Sequence, residues 1–130
     1  MILAIYTCLA ILCIVFLQSG IDKVIHFKSE KDFVQSHFSK TPLNKMSGAL
    51  FVILTVLEIT SGVLSAGGII HLYLHENVIL ANLANVLSSI TLLSLLLGQR
   101  VAKDYAGAQT IIIYLIPVVL LFITLELYQL

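Results

Sequence analysis

Met46 to Leu72 reads MSGALFVILTVLEITSGVLSAGGIIHL, and this stretch decides the fold. It carries a single charged residue, Glu58, in a run otherwise made of apolar and small residues. A hydrocarbon core of about 30 Å is crossed by roughly 20 helical residues, so the run is long enough to span a bilayer. Lipid offers no hydrogen-bond partner to the backbone, so the segment must be helical. Three more runs of the same kind flank it. The expected first span covers about Ile2 to His26, the second Met46 to Leu72, the third Val78 to Gly98 and the fourth Ala108 to Leu130. The expected fold is therefore all-α: a four-helix transmembrane bundle forming one domain over residues 1–130.

The composition agrees. Hydrophobic residues make up 59% of the 130, and charged residues only 11%. That leaves too little charge for the surface of a soluble domain. The alternating segments of about 10 residues that mark a transmembrane β-barrel are not seen. Net charge is zero, so no basic excess points to nucleic acid. Met1 to Gly20 lacks the basic start of a cleaved signal peptide, and the run is read as a mature helix. Cys8 and Cys13 lie in that run and read as small buried apolar residues.

Phe27 to Lys45 is the one long polar stretch. Ser29-Glu30-Lys31-Asp32 matches a capping-box pattern that would start a short helix. Phe27, Val34 and Phe38 would share one face, with Glu30, Lys31 and Gln35 turned away from it. Thr41-Pro42 should end it. The expectation is a short amphipathic interfacial helix between helices one and two.

Basic residues set the orientation. Lys23, Lys28, Lys31, Lys40, Lys45, Arg100 and Lys103 all sit in or beside the first and third links. The positive-inside rule places those links in the cytoplasm and both termini outside. Tyr6, Tyr73 and Tyr128 then fall at the outer interface, where amphipathic rings are favoured.

Glu58 is the leading candidate for chemistry. A charged side chain at mid-span costs about 2.5–3.5 kcal/mol on insertion scales, so it should face the interior. Desolvation favours the neutral form of such a carboxyl. Two roles are open: proton or ligand handling, or a structural hydrogen bond to Asn82 or Asn85. Ser61, Gly62, Ser65, Ala66, Gly67 and Gly68 offer small faces for close helix packing, as do Ala81, Ala84, Asn85 and Ser88 on the next span. Pro117 should kink the fourth helix.

The basic end of the bundle gathers the remaining charges. Asp22 is expected to pair with Arg100 or Lys103, and Asp104 with Lys23. The alternative is a polar pocket in which Arg100, Asp104 and Tyr105 surround a head group such as a quinone. At the other end, His71 and His75 lie four apart beside Glu76 and Glu126, a weak metal-binding pattern. His26 and His37 read as interfacial. No phosphate loop, nucleophile elbow or metalloprotease helix is present, so no complete catalytic constellation is visible.

Three stretches carry a family resemblance. They are Ser19-Gly20-Ile21-Asp22-Lys23-Val24, Leu57-Glu58-Ile59-Thr60-Ser61-Gly62-Val63-Leu64, and Arg100 to Ala108. Together they resemble the DoxX-like family of small four-helix membrane proteins, over nearly the whole chain. The resemblance implies association with membrane oxidoreductase or maturation complexes, since one relative is the membrane subunit of a thiosulfate:quinone oxidoreductase. It marks Glu58, Asp22 and Lys23 as candidates near a quinone. The functional expectation is an accessory or assembly subunit of a larger membrane complex, of the respiratory or oxidoreductase kind, in the bacterial inner membrane. The alternatives are a quinone- or lipid-interacting redox subunit and a small transporter. Expected partners are the lipid bilayer and membrane-protein subunits or further copies of the chain.

The orientation has a direct test. With Cys8 and Cys13 replaced by serine, Lys31→Cys and Lys103→Cys should resist an impermeant maleimide added to intact cells. Both should react once the cells are opened. Labelling of either from outside would reverse the topology.

Overall fold

The computed structural model describes residues 1–130 and contains helices only. Four are long: α1 (Ile2–Ile25), α3 (Ser47–His75), α4 (Ile79–Val101) and α5 (Tyr105–Gln129). The short α2 (Phe27–His37) and a 3-10 turn (Asn44–Met46) lie between α1 and α3. The long helices close a ring in which α1 packs on α3, α3 on α4, α4 on α5, and α5 back on α1. All four are long and apolar enough to cross a membrane. The chain is thus a small integral membrane protein with the expected four-helix bundle.

Its polarity is arranged for lipid. Val52, Ile53, Val56, Val63 and Ile70 of α3 point outward and are exposed. Thr55, Glu58, Ser61 and Ser65 of the same helix are buried, as are Asn85, Ser88 and Thr91 of α4. In hydrocarbon, polar groups gain by turning toward one another. Ser61 and Thr91 hydroxyls meet at 3.1 Å across the α3–α4 contact. Thr55 and Ser65 donate to the backbone carbonyls of Phe51 and Ser61, each at 2.8 Å. The apolar core runs through Ile5, Leu9, Leu12, Phe16, Leu121 and Leu125, with Cys8 buried beside them. Both cysteines are free thiols.

Several boundaries differ from the sequence expectation. α3 continues one turn past Leu72 to His75, where Glu76 takes a left-handed conformation (φ 51°) and donates its N–H to Leu72 O. α5 starts at Tyr105 instead of Ala108, because Asp104 caps it: Asp104 Oδ1 accepts the Gly107 N–H at 3.0 Å. An aspartate at this position satisfies an otherwise free donor of the first turn. Pro117 lies within α5, which remains a single helix from Tyr105 to Gln129.

The capping box is the clearest local correction. Ser29 is inside α2, not at its start, and its hydroxyl donates to His26 O at 3.2 Å. α2 begins almost directly where α1 ends, with His26 as the joint. Its faces also differ. Glu30 lines a cavity together with Phe33, Val34, His37 and Phe38. Phe27 packs edge-on against Phe51 at 5.4 Å between ring centroids. α2 therefore lies across the end of the bundle, from α1 toward the α4–α5 turn.

Close approach of α1 to α3 rests on two glycines. A Cβ at Gly20 would sit 2.5 Å from Ile59 Cγ1 and 3.3 Å from the Ile59 backbone nitrogen. At Gly62 it would meet the Leu17 side chain at 2.7 Å and the Leu17 backbone nitrogen at 3.0 Å. Backbone atoms cannot swing aside, so a larger residue must push the helices apart. Gly20→Leu should cost about 1–3 kcal/mol, the usual penalty of overpacking. Gly67→Ala, where the nearest atom is 3.9 Å away, should be neutral. Unfolding in mixed micelles followed by helical circular dichroism distinguishes the two, and equal effects would contradict this packing.

Candidate functional site

The site is built on the α1–α3 contact that those glycines permit. Glu58 lies near the midpoint of α3, on the inward face, and is 1% exposed. Opposite it stands Lys23, in the last turn of α1. Lys23 Nζ donates to Glu58 Oε2 at 2.9 Å, to Glu58 Oε1 at 3.2 Å and to Ser19 Oγ at 2.8 Å. All three ammonium donors thus have acceptors. Ser19 is one helical turn before Lys23, so the two share a face of α1.

This arrangement corrects the expected charge pairing. Glu58 does not meet Asn82 or Asn85. Asn82 donates to Val78 O in its own helix at 3.0 Å. Asn85 reaches across to Val118 O of α5 at 3.1 Å. Lys23 does not pair with Asp104, whose Oδ2 instead faces His37 Nε2 at 3.5 Å. Asp22 forms no ion pair with Arg100 or Lys103. The Arg100 guanidinium lies over the Tyr105 ring, 4.7 Å from its centroid, a cation–π contact. Arg100 and Tyr105 thus pair with each other at the surface, while Asp104 is turned toward α2.

Beside the ion pair is a cavity of about 320 Å³. Glu58 and Asp22 contribute to its wall, with Gln18, Ser19 and Tyr114 as further polar groups. Phe16, Leu92 and Ile111 supply apolar surface. A space of mixed lining with few polar groups suits an amphipathic small molecule. Of the candidates read from sequence, Glu58 and Asp22 line it, and Lys23 touches it only through Glu58; Arg100, Asp104, Tyr105, Asn82 and Asn85 do not line it. Gln18 and Tyr114 were not singled out from the sequence. Gln18 lay in a polar helix end that offered a signal, whereas Tyr114 in an apolar run offered none.

The histidine pair stands apart. His71 and His75 rings are 5.0 Å apart between centroids. No third His, Cys, Asp or Glu joins them in a metal-holding group.

No known protein family, curated protein or solved structure matches the chain. The class defined by fold and site is a small four-helix integral membrane protein with a buried ion pair beside an amphipathic cavity.

The pair should dominate the energetics. Removing one partner of a buried ion pair costs about 3–5 kcal/mol, because the other charge is left uncompensated. Lys23→Leu and Glu58→Leu should each lose about that much in detergent unfolding. The double variant should lose clearly less than the sum. Additive losses would mean that the two charges are not coupled.

Proposed function

We propose that the chain is a DoxX-like accessory subunit of a larger bacterial inner-membrane oxidoreductase complex, and that it holds a quinone ring in the cavity beside Glu58. One observation carries the reading. A lysine–glutamate pair inside a membrane bundle, its glutamate buried and its lysine part-buried, borders an amphipathic cavity of about 320 Å³ through Glu58. Ionisable residues in membrane spans are costly and are by default functional. A quinone combines a flat apolar ring with carbonyl acceptors. Gln18 and Tyr114 offer it hydrogen-bond donors, and Phe16, Leu92 and Ile111 offer apolar contact. A partner with its own redox centre would supply the electrons.

Two features support the accessory role. Its links are short, and no complete catalytic set surrounds the cavity. A transporter is less well supported, because the four spanning helices are continuous and lack the paired broken helices of transporter sites.

The test is mass spectrometry of the tagged chain purified from its native membrane in mild detergent. Expected are a stoichiometric partner and a co-purifying quinone. Glu58→Gln keeps an acceptor for Lys23 but removes the charge, and should reduce quinone occupancy without loss of helical content. A lone chain free of quinone would sink the proposal. Full quinone retention in Glu58→Gln would remove Glu58 from the site.

A further inference from the structure

α1 stops short of its neighbours. Lys23 in its last turn is level with Glu58, whereas α3 begins at Ser47, three turns away on the same side. α2 covers the gap and encloses a second cavity of about 200 Å³. Three phenyl rings line it, those of Phe33, Phe38 and Phe51, together with the carboxylates of Glu30 and Asp104. Gln99 Oε1 is buried at this place without a hydrogen-bond partner, and His37 Nε2 has only the 3.5 Å approach of Asp104 Oδ2. Buried polar atoms in native proteins are nearly always satisfied, so orphaned ones call for an explanation. Lys23 also borders the cavity, but its ammonium is engaged by Glu58 and Ser19. The lining thus offers aromatic faces, carboxylates and a free amide oxygen. That set recognises a cation that carries N–H donors.

A third cavity of about 450 Å³ adjoins across His37, which lines both. Its chemistry is the opposite. Lys40 and Lys103 border it with the hydroxyl residues Ser36, Ser39 and Thr41. Lys103 has φ 59°, uncommon for a residue with a Cβ. The turn is held there by Lys103 N–H to Arg100 O at 3.1 Å and Asp104 N–H to Gln99 O at 2.9 Å. Two lysines among hydroxyls suit a phosphate.

We propose that the two adjoining cavities form one site for a phosphoethanolamine head group. The phosphate lies between Lys40 and Lys103, and the primary ammonium enters the aromatic cavity toward Glu30, Asp104 and Gln99. A quaternary choline has no N–H to give Gln99 Oε1. An anionic glycerol head group would leave the Glu30 carboxylate uncompensated, since Asp104 alone already faces His37 and the Gly107 N–H. The site is separate from the quinone reading and does not rest on it. Two sources share the chemistry: the bilayer lipid phosphatidylethanolamine and free phosphoethanolamine.

The test is native mass spectrometry of the full chain, titrated with short-chain phosphatidylethanolamine, phosphatidylcholine and phosphatidylglycerol. Phosphatidylethanolamine should bind about tenfold more tightly than the other two, the worth of one charge-assisted hydrogen bond. Glu30→Gln should weaken it about tenfold and leave phosphatidylglycerol unchanged. Lys40→Gln with Lys103→Asn should weaken both, and asparagine tolerates the left-handed backbone. Displacement of the lipid by soluble phosphoethanolamine at similar concentration supports the free source, and resistance to it the membrane source. Equal binding of the three lipids, or a Glu30→Gln variant with unaltered preference, overturns the proposal. Should the variants misfold, the wild-type chain can be treated with phosphatidylethanolamine carrying a photoreactive head group. Label within residues 30–41 and 99–104 supports the site, and label only elsewhere overturns it.

Discussion

A carboxyl group inside a membrane bundle must have a partner, and Glu58 finds it in Lys23. In a medium that hydrates nothing, each ion of the pair would be very costly alone. The pair therefore holds α1 and α3 in a single register. Slide either helix by one turn and both charges are stranded. Gly20 and Gly62 bring the backbones close enough for the lysine to reach across, and Ser19 takes its third donor. The α1–α3 contact is thus set by a polar requirement and made possible by the absence of two side chains. No apolar driving force between helices is needed, which is as well, because lipid chains supply none.

The same logic explains where α1 ends. Beyond Ile25 the sequence turns polar, yet α3, α4 and α5 extend past this level. The space left at that end is covered by α2, whose Phe27 meets Phe51 and whose His37 approaches Asp104. The basic end of the bundle therefore encloses polar cavities, while α5 turns Ile112, Ile116, Val119 and Ile123 outward to lipid.

Much of this was legible in the residues. Four apolar runs required four helices, and the inward turn of Glu58 followed from the cost of exposing it to lipid. The amphipathic segment between the first two spans was also readable. Its faces were not, because they depend on how α2 meets the end of the bundle. Ser29 looked like a cap because Glu30 to Asp32 follow it, but the chain leaves α1 already helical and His26 becomes the joint. Partners of the charges were hidden for a related reason. Lys23 and Glu58 are 35 positions apart, and only the glycine-set register of α1 on α3 makes them neighbours. Asp104 looked available for a lysine, but the first turn of α5 claims one of its oxygens.

The ion pair also stands between two different spaces. Glu58 borders the cavity enclosed with α4 and α5, Lys23 borders the one beneath α2, and Leu95 of α4 lines both. The two carboxylate oxygens and the ammonium are therefore a shared wall, not the floor of either cavity. Lys23 gives its three donors to Glu58 and Ser19, while Asp104 accepts the Gly107 N–H and faces His37, so each side of the wall is held by contacts within the chain.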